Sequence, residues 1–159
     1  MSKILYIVIP CYNEQEVLPE TSKRLLEKLQ SLVLKNKIAD NSRIMFVNDG
    51  SKDQTWSMIK ELCEENSVFA GVNLSRNRGH QNALLAGMAT AVKYADMIVT
   101  MDADLQDDVA VIEEMIDKFH NGCDIVYGVR KERKTDTFFK RTTAQGFYKV
   151  MELMGVKTV

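Results

Sequence analysis

Short apolar runs alternate along this chain with longer stretches in which apolar residues return every three or four positions. The first pattern is that of a strand buried on both faces, the second that of an amphipathic helix. Residues 4–9 (Ile-Leu-Tyr-Ile-Val-Ile) make the first run, and Pro10, which has no N–H to give a ladder, predicts its end. Asn13 and Glu16 have the spacing of a helix-capping pair, and Pro19 suits a first helical turn. Leu18, Leu25, Leu29 and Leu32 lie along one face of that helix. Residues 43–47 predict a second strand, and Asp53 is the expected N-cap of a helix turning Trp56, Ile59 and Leu62 inward. A weaker third strand covers 68–74, and a polar link then leads to a helix over 82–94 rich in Ala, Leu and Met. That helix is apolar nearly all round, which predicts deep burial. Residues 97–101 read as a fourth strand, with Val109, Ile112, Ile116 and Phe119 marking the helix after it. Residues 124–128 read as a fifth strand, and Phe139, Thr143, Phe147, Val150 and Met154 form a last helical stripe.

Five alternations of strand and helix predict an α/β fold: an open, mostly parallel sheet with helices on both faces. With 159 residues, 45% hydrophobic and 27% charged, residues 1–159 form one domain. A net charge of −1 gives no global field for nucleic acid or an anionic membrane, so no nucleic-acid partner is expected. Cys11, Cys63 and Cys123 stand too far apart for a disulfide framework or a zinc site and suit a reducing cytoplasm. The amino-terminal apolar run is too short for a signal peptide, and no run approaches the roughly 20 residues of a membrane span.

In such sheets ligands bind beyond the carboxyl ends of the strands. Those ends hold Pro10-Cys11-Tyr12-Asn13-Glu14, Asn48-Asp49-Gly50-Ser51, Arg76-Asn77-Arg78, Asp102 with Asp104, and Gly128 with Arg130. Each of the five carries charge that could meet a single ligand. Asp102 and Asp104 are the sharpest case, because unpaired carboxylates at the end of a buried strand are costly. Two readings account for them: a strand-end turn that caps the following helix, or a site for Mg²⁺ or Mn²⁺, which prefer oxygen ligands and phosphate. There is no G-x-G-x-x-G after the first strand and no P-loop, so phosphate would be handled by metal and basic side chains. A metal on Asp104 and Gln106 would offset the charge of a departing diphosphate, and Asp49 could accept hydrogen bonds from a base or ribose.

Val8-Ile9-Pro10-Cys11-Tyr12-Asn13-Glu14 and Val47-Asn48-Asp49-Gly50-Ser51-Lys52-Asp53-Gln54-Thr55 resemble the opening motifs of family 2 glycosyltransferases of the GT-A fold. Ser75-Arg76-Asn77-Arg78-Gly79-His80-Gln81-Asn82-Ala83 and Met101-Asp102-Ala103-Asp104-Leu105-Gln106-Asp107 are similar to the polyprenyl-phosphate sugar transferases, the group of dolichyl-phosphate mannosyltransferase and bactoprenyl-phosphate glucosyltransferase. The resemblance runs from about Ile4 to Arg141. It implies a donor pocket of Pro10, Tyr12, Asn13, Glu14, Asp49, Gly50, Asp102 and Ala103, with Asp104 and Gln106 on the metal. Asp102, Asp104 and Arg130 would carry catalysis, and Arg130 and Arg141 would face the phosphate of a lipid acceptor. The implied reaction is inverting transfer of a hexose from a nucleoside-diphosphate sugar, uridine favoured over guanosine, to a polyprenyl phosphate. An ionised phosphate nucleophile needs little from a general base.

Two departures from the family stand out. Asp108-Val109-Ala110 replaces the usual prolines, and the acceptor-site segment and membrane helices expected beyond the position of Val159 are absent from this sequence. The chain therefore reads as an amino-terminal donor-binding part of a longer enzyme, cytoplasmic, with the full-length protein on the cytoplasmic membrane face. The alternatives are a nucleotide-sugar-binding fragment without turnover, or a transferase to a glycan hydroxyl. Several residues have plainer roles: His80 as a helix-start packing residue, Cys11 as a small buried thiol, Trp56 and Tyr94 as core, and Gly79 and Gly87 as turn and packing positions. Lys131, Arg133 and Lys134 divide evenly between a solvated loop and an anionic-lipid contact.

Overall fold

The structure, a computed structural model, describes residues 2–104, 106 and 108–129. Residues up to Val126 make one compact unit. Its elements run β1 (Leu5–Cys11), α1 (Leu18–Leu34), β2 (Arg43–Asn48), α2 (Thr55–Glu65), β3 (Phe69–Asn73), α3 (His80–Ala91), β4 (Met97–Thr100) and α4 (Val111–His120). The four strands lie in the order β3-β2-β1-β4, all parallel. Successive strands step outward from β1 to β3, and β4 then returns to the opposite side of β1. The order reverses between β1 and β4, and the two neighbouring loops part there.

The alternation of side chains along each strand decides which helix covers which face. Leu5, Ile7, Ile9 and Cys11 of β1 join Ile44 and Phe46 of β2 in a core closed by α1, α2 and α4 through Leu18, Leu25, Leu29, Leu32, Ile59, Ile112 and Ile116. Val8, Met45 and Val47 point the other way and meet α3 through Ala83 and Ala91. The expected helices on both faces are present.

β1 runs through Pro10 to Cys11, further than the proline predicts. The N–H groups of Met97 and Met101 donate to Ile4 O and Val8 O, so even-numbered residues of β1 address β4. That ladder ends at Val8↔Thr100, while pairing with β2 continues to Cys11↔Asn48. Pro10 therefore places its missing N–H where there is no acceptor to lose.

Several expectations are corrected. Asn13 and Glu16 do not cap α1: the N-cap is Val17 without a side-chain bond, and Asn13 is in the left-handed region at φ 56. Asp53 precedes the N-cap of α2, Gln54, by one residue, yet it accepts the Thr55 N–H at 3.0 Å. α3 is shorter than 82–94 at its carboxyl end and is not deeply buried: only Ala83, Gly87 and Ala91 are enclosed, while Leu85 and Tyr94 are each 60% exposed. Its fully enclosed stripe is made of the smallest residues, so the helix approaches the sheet closely, with Leu84 packed at the edge of that core and Leu85 and Met88 exposed. Asp124–Gly128 pairs with no strand among the described residues, and Ile125 is 71% exposed; an apolar run becomes a strand only where a neighbour offers a ladder. The stripe from Phe139 to Met154 lies outside the described residues.

At Gly87 an added Cβ would run into Val8 Cγ1 and come within 2.7 Å of Val47 Cγ2. Gly87→Ala should therefore destabilise the chain by about 1–3 kcal/mol in urea denaturation, because overpacking outweighs the gain in helix propensity of about 1 kcal/mol. On the other face, Lys28, Lys35 and Lys37 gather on Glu113 at 2.9, 2.9 and 3.2 Å and tie α1 and its exit loop to α4. Hydrogen bonds from Lys35, Lys28 and Lys37 hold the Glu113 carboxyl down at about 2 against an ordinary value of 4.5. A depressed carboxylate contributes stability above the unfolded value and loses it as pH falls through the folded one. The melting temperature of the wild-type chain should thus fall more steeply than that of Glu113→Gln between about pH 4.5 and pH 2.

Candidate active site

Loops from β1, β2 and β4 build the end of the sheet where the strand order reverses. The β1 and β2 loops are laced together. Asn13 N–H donates to Ser51 Oγ at 3.0 Å, and Lys52 N–H returns to Asn13 Oδ1 at 2.8 Å. Glu14 N–H reaches Thr55 Oγ1 at 2.8 Å, and Gln54 N–H donates to Gln15 Oε1 at 3.0 Å. These bonds explain the left-handed Asn13, whose side chain works as a backbone surrogate.

The β4 loop is held from below. Ala103 is buried at 3% exposure, and its carbonyl accepts the Thr21 hydroxyl of α1 at 2.7 Å. Anchoring the middle residue leaves its neighbours, Asp102 and Asp104, exposed on the rim. Asp104 Oδ1 accepts the Gln106 N–H at 3.0 Å. Neither aspartate caps α4, whose N-cap is Ala110. Asp108 makes the local turn there, accepting the Ala110 N–H at 2.8 Å. Of the plainer reading of the paired carboxylates, the helix cap is not found, while the strand-end turn is present in the Asp104–Gln106 bond.

Pro10 and Glu14 from β1, His80 from α3, and Asp102, Ala103 and Asp104 from β4 line one hollow of about 190 Å³. Burial pushes the Glu14 carboxyl above its ordinary value, and Asp104, Asp53 and Asp102 push it further. Carboxylates that share one hollow and raise one another's proton affinity are of the chemistry a hard divalent cation prefers, since it relieves their repulsion and accepts oxygen ligands. Among the described residues no three His, Cys, Asp or Glu side chains come together as a metal-ligand group. A hollow of about 220 Å³ between α1 and α2, lined by Pro19, Met58, Glu61 and Leu62 among others, lacks any such convergence.

The structure unites some of the predicted residues and separates others. Pro10, Glu14, Asp102, Ala103 and Asp104 come together, and His80, read as a packing residue, joins them. Gln106 and Tyr12 are exposed and outside the wall of the hollow. Asp49 does not face it either: at 2% exposure it accepts the N–H groups of Arg78 at 2.6 Å and Gly79 at 2.9 Å, and so fixes the loop that carries His80. Gly50, at φ 67, allows the same loop to close, since a Cβ there would strike Asn77 N and lie 2.8 Å from Arg76 Cα. Cys11 lies buried beneath, its thiol pushed up to about 12 by burial and then by Glu14, and is inert. Arg130 and Arg141 lie outside the described residues. Thr21 was missed altogether, although a hydroxyl on the apolar face of α1, three residues from Leu18 and four from Leu25, is a signal of a buried polar contact.

A parallel α/β sheet with helices on both faces is the fold this chain shares with solved GT-A glycosyltransferases. The mannosyltransferase PcManGT of Pyrobaculum calidifontis, solved with GDP-Man and Mn²⁺, superposes with a TM-score of 0.51 at 21% identity, over 65% of this chain and 28% of that one. S. aureus TarS 1–349, solved with UDP, gives 0.51 at 19% identity over 81% and 40%. The chain belongs to glycosyl transferase family 2, whose model matches residues 6–156. It is 51% identical over 156 residues to the uncharacterised glycosyltransferase YkoT of Bacillus subtilis, covering 98% of this chain and 46% of that protein. It is 38% identical to a prophage bactoprenol glucosyl transferase homologue of Escherichia coli, covering 91% of this chain and 44% of that protein. The chain thus spans under half the length of these curated relatives.

Removing the Thr21 hydroxyl should unsettle the Asp102–Asp104 loop. Thr21→Val is expected to cost about 1–3 kcal/mol in urea denaturation, the penalty of a buried carbonyl left without a donor, and Thr21→Ser to recover most of it.

Proposed function

We propose that this chain is the donor-binding part of an inverting, metal-dependent glycosyltransferase that moves a hexose from a nucleoside-diphosphate sugar to a polyprenyl phosphate. The observation that carries the reading is that Glu14, Asp102 and Asp104 line one hollow at the reversal of strand order. The names of relatives such as the bactoprenol glucosyl transferases of Shigella phages SfV and SfX, 38% and 36% identical, favour a polyprenyl phosphate as acceptor. The hollow has room for a diphosphate and its cation, with the nucleoside lying along the β1 loop past Tyr12, and a uridine nucleotide is favoured.

In this reading Asp104, on the wall of the hollow, would hold Mg²⁺ or Mn²⁺, and Gln106, which lies outside that wall, would have to turn toward it to serve as the second ligand. The ion supplies charge neutralisation for the departing nucleoside diphosphate. Asp102 faces the donor, and Glu14 closes the opposite wall. An acceptor phosphate oxygen attacks the anomeric carbon from the face opposite the leaving group, and the carbon–oxygen bond to the diphosphate breaks with its electron pair. The nucleophile is already ionised, so the chain's contribution is alignment and electrostatics. Arg130 and Arg141 are the proposed contacts of the acceptor phosphate, guanidinium being suited to its oxygens. Among the described residues no helix is long and apolar enough to cross a membrane. The proposed location is the cytoplasm, with the longer protein at the cytoplasmic face of the membrane where the lipid acceptor lies.

Asp104→Asn preserves an oxygen for the Gln106 N–H while removing the charge, which makes it the sharpest variant. Titration calorimetry with UDP and Mn²⁺ should show binding by the wild-type chain that requires the metal, weakened by about tenfold or more in the variant. Equal binding by both chains, or binding indifferent to metal, would discard the proposal.

A further inference from the structure

The chain has two histidines, and they occupy different settings. His120 ends α4, its Nε2 3.1 Å from the Lys37 carbonyl oxygen. His80 opens α3 on the rim of the hollow, its Nε2 3.6 Å from Asp102 Oδ1. Its backbone is fixed from two directions. Gly79 takes the N-cap at φ 85, and the buried Asp49 clasps the N–H groups of Arg78 and Gly79 just ahead of it. The ring itself is 58% exposed and free to turn.

Asp102 is the acidic residue of the hollow that faces His80, and its side chain is 58% exposed. Asp104 is restrained by the Gln106 N–H and Asp49 by two amides, whereas among the described residues the Asp102 carboxylate accepts no hydrogen bond. At 3.6 Å the pair is just beyond hydrogen-bond distance, and a small rotation of the exposed ring would bring Nε2 within it. An imidazole with its proton on Nε2 can donate that bond.

The geometry points to His80 as a positioning residue of the donor site, its imidazole N–H holding the Asp102 carboxylate toward the sugar-diphosphate. This assignment rests on the donor-site reading above. It predicts that His80 acts only through Asp102, leaving the Asp104 contact with the cation untouched.

A double-mutant cycle tests it, with UDP-glucose and GDP-mannose, each with Mn²⁺, as calorimetric probes of the wild-type, His80→Ala, Asp102→Ala and doubly substituted chains. His80→Ala should weaken binding by about tenfold in the wild-type background and by less than twofold when Asp102 is already alanine, the signature of coupled neighbours. His80→Gln, whose amide N–H can donate from a similar place, should recover most of the loss. A purely structural role would lower the melting temperature and give losses that multiply. Imidazole NMR provides a second readout: Mn²⁺ with the bound nucleotide should broaden the His80 resonances and leave those of His120 sharp. Unchanged binding in His80→Ala, multiplying losses, or a sharp His80 signal would overturn the assignment while the donor site stood. A wild-type chain that binds neither nucleotide with Mn²⁺ would remove the donor-site reading and this one with it.

Discussion

The unequal lengths of the two ladders on β1 govern the rest of this structure. β1 is hydrogen-bonded on both sides, but its pairing with β4 stops at Val8↔Thr100 while its pairing with β2 runs on to Cys11↔Asn48. Had both ladders ended level, the β4 loop would have continued the sheet. Instead β4 departs early, and the chain from Asp102 to Asp104 stands apart from Pro10 and Glu14 across a gap. Burial makes that departure reproducible, since Ala103 is enclosed and its carbonyl is engaged by Thr21. The paired aspartates are exposed because the residue between them is not.

The surrounding loops form two layers with separate duties. The outer layer, Glu14, His80, Asp102 and Asp104, meets the hollow. The inner layer, Asn13, Asp49, Gly50 and Thr55, holds the first in place through backbone hydrogen bonds and one close backbone approach. Asp49 shows how a charge can serve this purpose. A buried carboxylate is tolerable when amides satisfy it, and its two bonds turn a polar loop into a fixed platform for the start of α3.

Much of this was legible in the chain. β1 and β2 are continuous apolar runs, the leucines of α1 have helical spacing, and both signals are local. The aspartates after β4 were legible because charge directly after a buried strand demands a reason. What escaped the sequence reading depends on distance along the chain. Thr21 finds its acceptor 82 residues away, and Asp49 finds its donors 29 and 30 residues on. His80 is brought to the hollow beside Asp102 by a loop whose shape no pattern encodes. α3 misled through its composition: apolar content says that a helix wants burial, but Ala83, Gly87 and Ala91 alone select the buried side. Asn13 and Glu16 misled through spacing, because a capping pair and a left-handed loop residue look alike until the backbone is seen.

Pro10 has one more implication. Past Val8 the flank of β1 that looks toward β4 is uncovered, and bare strand flanks invite foreign chains to zip onto them. At that spot the backbone is a proline, with no hydrogen to offer an incoming segment, and carboxylates stand close by. The cleft is thereby protected from being stitched shut by a stray strand, in its own molecule or in another, and stays open to small ligands alone.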